Sequence, residues 1–383
     1  MGAFTSSIGT WMQKMAQAWL VLEISKSPFL LGLDAFLGEI PILLFSLVGG
    51  VVADRMDRRR LLILSQVIQL SCAFLLAGLV AFDVVRIWHI LTLSFLVGTA
   101  QAFGGPANQA LIPSLVEPDD LPNAIAMQSI QFNLARVVGP AVGGLAFTTL
   151  GYVGCFSLNG LSYIAVIISL VLLRTKYIPK KTEEAFLASM RQGMGFIRRQ
   201  SAMSGLIVLA FAMTALGIPL LTFLPVFARD VFHGGPQTYT LMLSLSGAGA
   251  VVGALVVAGF GHIRHKGRLA LVLLTCTGVG IAAFSLSRLL WASCAVLFLT
   301  GVTLIGVFAM IASLAQLITG DEMRGRVMSV YNVAFRGGMS IGSLLTGWLA
   351  KMFTAPAVLA ANGLVLFLVA MYYFSVERKV ARL

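Results

Sequence analysis

Apolar residues run through this chain in long blocks separated by short polar turns. Twelve such stretches can be marked, at roughly 3–22, 28–53, 61–82, 86–113, 122–149, 152–173, 202–227, 238–259, 269–287, 289–318, 326–352 and 356–376. Each approaches or exceeds the ~20 apolar residues that a helix needs to cross the hydrocarbon core of a bilayer. The longest polar break, Arg174–Gln200, divides them six and six. The pattern predicts an all-α membrane protein of twelve transmembrane helices in two pseudo-symmetric bundles. Residues 1–173 form the first bundle, 174–201 a linker and 202–383 the second. Within the linker, Phe186, Leu187, Met190, Met194 and Ile197 recur at helical spacing. They predict an amphipathic helix lying on the membrane surface.

Composition agrees with lipid as the solvent. The 383 residues are 58% hydrophobic and 11% charged, against about 25% charged in soluble domains. The net charge of +12 is a topology signal. Nineteen of the 27 Lys and Arg fall in alternate loops and at the C-terminus, and five fall in the opposite loops. By the positive-inside rule both termini and the linker are cytoplasmic. This accounts for the basic excess without nucleic acid as a partner. Lipid is the partner this composition implies. The first stretch is barely long enough to span and no basic segment or signal-peptide pattern precedes it, so the reading leans to a native N-terminus upstream of Met1.

Cys72, Cys155, Cys276 and Cys294 lie in four different stretches without paired spacing, and read as small buried apolar side chains. The four histidines sit at helix ends or in loops, so no metal site is expected. No cofactor is expected either. A P-loop is lacking, so ATP does not drive the protein directly. No nucleophile–base pair or carboxylate pair occupies an aqueous segment, which argues against an enzyme.

The two halves repeat at about 200 residues. Ser129 and Arg136 match Ser329 and Arg336, while Gly139 and Gly143 match Gly338 and Gly342 at an offset of 199. Asp119-Asp120 corresponds to Asp321-Glu322 in the preceding loops. Paired halves around a midplane site are a recurrent transporter design.

The turn after the second stretch reads Gly50-x-x-x-Asp54-Arg55-x-Asp57-Arg58-Arg59. It resembles the loop 2–3 signature of the major facilitator superfamily, with Asp57 where the general pattern has glycine. That variant, with Gly9–Gly32, Phe103–Val116, Asn133–Gly144, Leu224–Phe232 and the Met323–Arg326 turn, resembles the branch of enterobactin exporters and macrolide efflux proteins. The resemblance implies that Asp54 meets the N-terminus of the eleventh helix and latches the halves on the cytoplasmic side; the alternative is that Asp54 pairs with Arg58 or Arg59 in its own turn. Gly139-Pro140-x-x-Gly143-Gly144 resembles a motif of drug–proton antiporters, with Ala135 in place of a further glycine. Its proline bends the helix. Its glycines allow close contact with the opposing half, or serve ordinary packing.

Buried charges are costly and usually functional in membranes. Only Asp34 and Glu39 among the fifteen acids lie well inside a stretch; Lys14, Arg136 and Arg336 are the buried bases. The resemblance sets the second helix against the eleventh, so Glu39 and Arg336 are expected to face each other. Two readings stand: a structural ion pair, or one that protonation of Glu39 breaks. Asp34, nearer the outer surface, is expected to stay hydrated and contribute less. Gln13, Gln17, Gln101, Asn108, Gln131, Asn133 and Asn332 are candidates for the substrate cavity, which the first, fourth, seventh and tenth helices line in the resembling fold. The reading is a proton-coupled exporter of bulky amphiphilic small molecules, drug or siderophore, working by alternating access as a monomer in the cell (inner) membrane, with the small-molecule substrate, protons and lipid as its expected partners. An importer or lipid flippase on the same scaffold is the alternative, with a non-transporting sensor behind them.

Overall fold

The structure, a computed structural model, describes residues 2–173, 186–259 and 265–383. Among these residues it is helical nearly throughout and contains no strand. Among the described residues, nine helical segments are long and apolar enough to cross a membrane. In chain order the helices are α1 (Gly2–Ser25), α2 (Pro28–Arg55), α3 (Arg58–Ala81), α4 (Ile87–Leu111), α5 (Leu121–Leu172), α6 (Phe186–Arg199), α7 (Ser201–Gly217), α8 (Pro219–Val226), α9 (Pro236–Gly259), α10 (Lys266–Leu286), α11 (Leu290–Leu317), α12 (Asp321–Met352) and α13 (Ala355–Ser375).

The breaks follow backbone chemistry. Gly151, at φ +65°, interrupts α5, in a region that only glycine enters freely. The interruption falls in the gap between the apolar stretches 122–149 and 152–173. Pro219 opens α8 at its first turn, where a missing N–H costs nothing. Asp57 caps α3 by accepting from the Arg59 N–H at 3.0 Å, and Thr354 caps α13 through the Ala357 N–H.

The chain forms two compact units. The first is Met1–Glu183 with Pro236–Thr240; the second is Glu184–Gly235 with Leu241–Leu383. In the first, α1 packs on α5, α2 on α4, and α3 on both α4 and α5. In the second, α12 packs on α7, and α10 on α11 and α13. Close helix crossings use glycine. A side chain at Gly98 would lie 2.5 Å from the carbonyl oxygen of Gly38, and one at Gly49 would strike the backbone of Ala102. Gly→X changes there would force backbone apart, the sign of van der Waals packing between membrane helices.

The amphipathic helix expected in the linker exists as α6, and residues 174–185 of that linker lie outside the described ones. Its placement differs from a helix held by the membrane surface alone. Gly193 and Ile197, one turn apart, are buried, and Gly193 sits against the Arg326 carbonyl in the first turns of α12. The apolar stripe is therefore partly spent on a protein neighbour.

Candidate functional site

The turn between α2 and α3 gathers helix ends. Arg58 donates through Nη1 to the Ala110 carbonyl at 2.9 Å and through Nε to that of Ala53 at 3.4 Å. Arg59 donates to the carbonyls of Leu170 and Val171 at 2.5 Å each. These carbonyls lie in the last turns of α4, α2 and α5, where four C=O groups lack intrahelical partners. Cations at such ends are favoured by the helix dipole as well. The two arginines thus tie three helices together, a role beyond their contribution to topology. Asp57 pairs with Arg60 at 3.6 Å; both are solvated, so this pair adds little. Arg55 is exposed on the last turn of α2. The side chains of Asp54, Asn133 and Arg136 lie outside the described residues.

Gly50 has open space where a side chain would project. The neighbouring Gly49 makes the close approach, to α4. The motif glycines of α5 face inward to their own unit. A Cβ at Gly139 would lie 2.5 Å from Trp11 Cβ, and one at Gly143 would lie 3.2 Å from Met12 Cα and 2.9 Å from Met15 Cε. Both glycines therefore admit α1 at close range. Gly144 sits against Thr240, whose hydroxyl also contacts the Met15 sulfur at 3.8 Å. Pro140, in the middle of the motif, is buried within α5. In the second unit the matched pair does the same work: Gly338 and Gly342 admit α7 at Phe211, Thr214 and Ala215. The repeat at 199 residues marks one packing solution used twice.

Within the first unit, polar side chains meet in the middle of apolar helices. Asp34 of α2 is 9% exposed. Gln17 Nε2, from α1, lies 3.1 and 3.0 Å from its two oxygens and 2.8 Å from Ser94 Oγ of α4. Ser94 Oγ donates to Asp34 Oδ1 at 2.5 Å. Asp34 lies six residues into α2, or ~9 Å along the axis. Depth predicted hydration, yet α1 and α4 cover it. Glu39 is paired with Lys14 Nζ at 3.7 Å. Lys14 also lies 5.5 Å over the Trp11 ring, a favourable cation–π distance. Sequence reasoning had not joined Lys14 to Glu39. Arg336 is half-buried on α12 in the second unit.

The other candidate cavity residues divide. Gln13 Oε1 accepts from Asn159 Nδ2 at 2.6 Å, and Gln101 Nε2 donates to Gln69 Oε1 at 3.4 Å. The Tyr163 hydroxyl donates to the same Gln69 oxygen at 3.3 Å and lies 3.2 Å from Thr10 Oγ1. Asn108 and Asn332 are exposed, and Gln131 is half-buried. Asn159, Gln69, Tyr163 and Ser94 were missed as members of this network. Nothing in their sequence surroundings marks them: a single Asn or Ser in an apolar run has no periodic signature. Among the described residues no group of His, Cys, Asp and Glu is placed to hold a metal.

These features, a helical membrane fold with a repeated packing motif and an arginine-clamped turn, point to one class of protein. The profile of the transmembrane secretion effector family, a branch of the major facilitator superfamily, matches residues 1–381. The chain belongs to that family. It is similar to a staphyloferrin A transporter of Staphylococcus aureus, 23% identical over 387 residues covering 98% of this chain and 95% of that protein. It is also similar to macrolide efflux protein A of Streptococcus pyogenes, 22% identical over 357 residues covering 91% of this chain and 87% of that one. The solved structure of the nucleoside transporter NupG shares its fold, with a TM-score of 0.75 at 14% identity, covering 98% of this chain and 96% of the other. As a member of the major facilitator superfamily the protein is a multi-pass membrane transporter with efflux-type relatives, and not an enzyme.

Proposed function

We propose that this chain is a twelve-helix secondary transporter that exports bulky amphiphilic small molecules by alternating access, driven by the proton gradient. Both termini face the cytoplasm in this reading, and Asp54 of the arginine-rich turn gates the cytoplasmic side. The observation that carries the proposal is the polar cluster of the first unit. Two carboxylates of α2, the Asp34 cage and the Lys14–Glu39 pair, persist inside helices that are otherwise apolar, and intramembrane ionisable groups mark substrate or proton pathways. The efflux-type relatives support the substrate class of this reading, a drug or a siderophore.

The test is thermal stabilisation of the purified protein by a panel of macrolides and siderophores. A ligand at 100 times its Kd stabilises the folded state by about 2.7 kcal/mol. A rise in melting temperature with a member of either class supports the substrate class. A flat response across the panel contradicts it. Net movement of the stabilising compound into inverted vesicles identifies export; net movement out of them identifies the importer reading.

A further inference from the structure

We propose that Asp34, rather than Glu39, is the group that binds the transported proton, with Gln17 and Ser94 as its positioning residues. This rests on the proton-coupled reading above and names its site. The polar contacts of Asp34 come from neutral side chains on two other helices, Gln17 on α1 and Ser94 on α4. A buried carboxylate stays charged only if hydrogen bonds replace its lost water. Here Ser94 Oγ and Gln17 Nε2 supply them, and both partners can also serve the acid form.

When a hydronium ion delivers a proton, an O–H bond forms at Asp34 Oδ1, the donor's O–H bond breaks and water leaves, with no other covalent change. The Ser94 hydroxyl turns, its oxygen accepts the new O–H, and its own hydrogen goes to a backbone carbonyl one turn back, as helical serines allow. Gln17 Nε2 remains within reach of Oδ2 at 3.0 Å and of Ser94 Oγ at 2.8 Å. The cage therefore accommodates both protonation states of Asp34. Glu39 has no such neutrality: a proton there breaks its ion pair with Lys14.

Among the described residues, the charged group that acts on Asp34 is Lys14 on α1, whose Nζ lies 3.7 Å from Glu39 Oε1. The one titratable side chain of α4, His89, accepts from the Arg86 N–H at that helix's own start. The state of the proton is thereby read chiefly by Gln17. Gln17 lies one turn from Gln13, which is tied to Asn159 of α5. Protonation at Asp34 loosens the hold on Gln17 and so bears directly on how α1 is held against α2 and α4.

The experiment is infrared difference spectroscopy of the full chain in proteoliposomes across an acid titration, with the proton itself as the probe. A protonated-carboxyl C=O band present in wild type is expected to be lost in Asp34→Asn and retained in Glu39→Gln. Ser94→Ala and Gln17→Ala are expected to keep the band but displace its midpoint, and Ser94→Thr to restore it. A band that survives in Asp34→Asn at an unchanged midpoint overturns the assignment, as does one lost in Glu39→Gln. Should Asp34→Asn fail to fold, the Ser94→Ala titration decides: an unchanged midpoint overturns the assignment. Transport separates this from the parent reading. If Asp34 carries the band but an imposed pH difference drives no accumulation in wild type, the site stands and the proton-coupled export falls.

Discussion

Replacing Gly342 by alanine tests how the helices of the second unit are held. The added Cβ would lie 2.5 Å from the Ala215 Cα and 2.7 Å from its carbonyl carbon, with the carbonyl oxygen closer still. These are backbone atoms, so no rotamer change relieves the contact, and α12 must move from α7 by about 1 Å to restore contact at carbon–carbon distances of ~3.5 Å. A radial gap of that size forfeits a quarter to a half of each well of ~0.1–0.2 kcal/mol. Over some tens of atom pairs along the crossing this costs roughly 1–3 kcal/mol, the usual range for overpacking. Alanine returns up to ~1 kcal/mol through its helix propensity. The net loss is about 1–2 kcal/mol, or a few degrees of melting temperature for a unit of this size. Gly139→Ala, against Trp11 Cβ and the Ile8 carbonyl, should match it; Gly143→Ala should cost less, because one obstacle is the flexible end of Met15. Gly50→Ala meets nothing and should be neutral or slightly stabilising. The assay is thermal unfolding of the detergent-purified protein followed by its own tryptophan fluorescence. Equal melting temperatures for Gly50→Ala and Gly342→Ala would refute the packing argument.

Three further predictions concern the arginine clamp, the gate and the topology. Arg59→Gln removes two charge-assisted bonds to the end of α5 and should lower stability by about 1–2 kcal/mol, with Arg59→Lys recovering part; unchanged melting would reduce Arg59 to a topology determinant. Asp54→Asn should cut transport severalfold while membrane insertion, measured by surface labelling, stays normal; full transport would deny the residue a gating role. Cysteines placed at Glu183 and Asp230 should label from opposite sides, the former only after permeabilisation, and labelling of both from outside would overturn the proposed topology.

Much of the fold was readable because membrane helices declare themselves by length. The gap in the apolar pattern near residue 150 is where Gly151 breaks α5, and the glycines repeated at 199 residues mark the two equivalent crossings. Which surface each glycine meets was not readable. Gly49 and Gly50 are adjacent in sequence, yet only Gly49 faces α4, because successive helical residues point ~100° apart. The site was half legible. Asp34, Glu39, Lys14 and Gln17 stood out as costly residues in apolar surroundings. Their partners did not, since pairing depends on helix rotation and neighbour identity. Depth along α2 ranked Glu39 above Asp34 as the desolvated acid; lateral cover by α1 and α4 reverses that order. Ser94 and Asn159 carry no charge and no motif, so only the packed bundle reveals them.

The most direct test of the account is transport by the purified chain in proteoliposomes under an imposed pH difference, with a radiolabelled macrolide as substrate. Proton-coupled export predicts accumulation against the concentration gradient that collapses when a protonophore dissipates the pH difference. Movement that only equilibrates the macrolide, or accumulation indifferent to the protonophore, would contradict it.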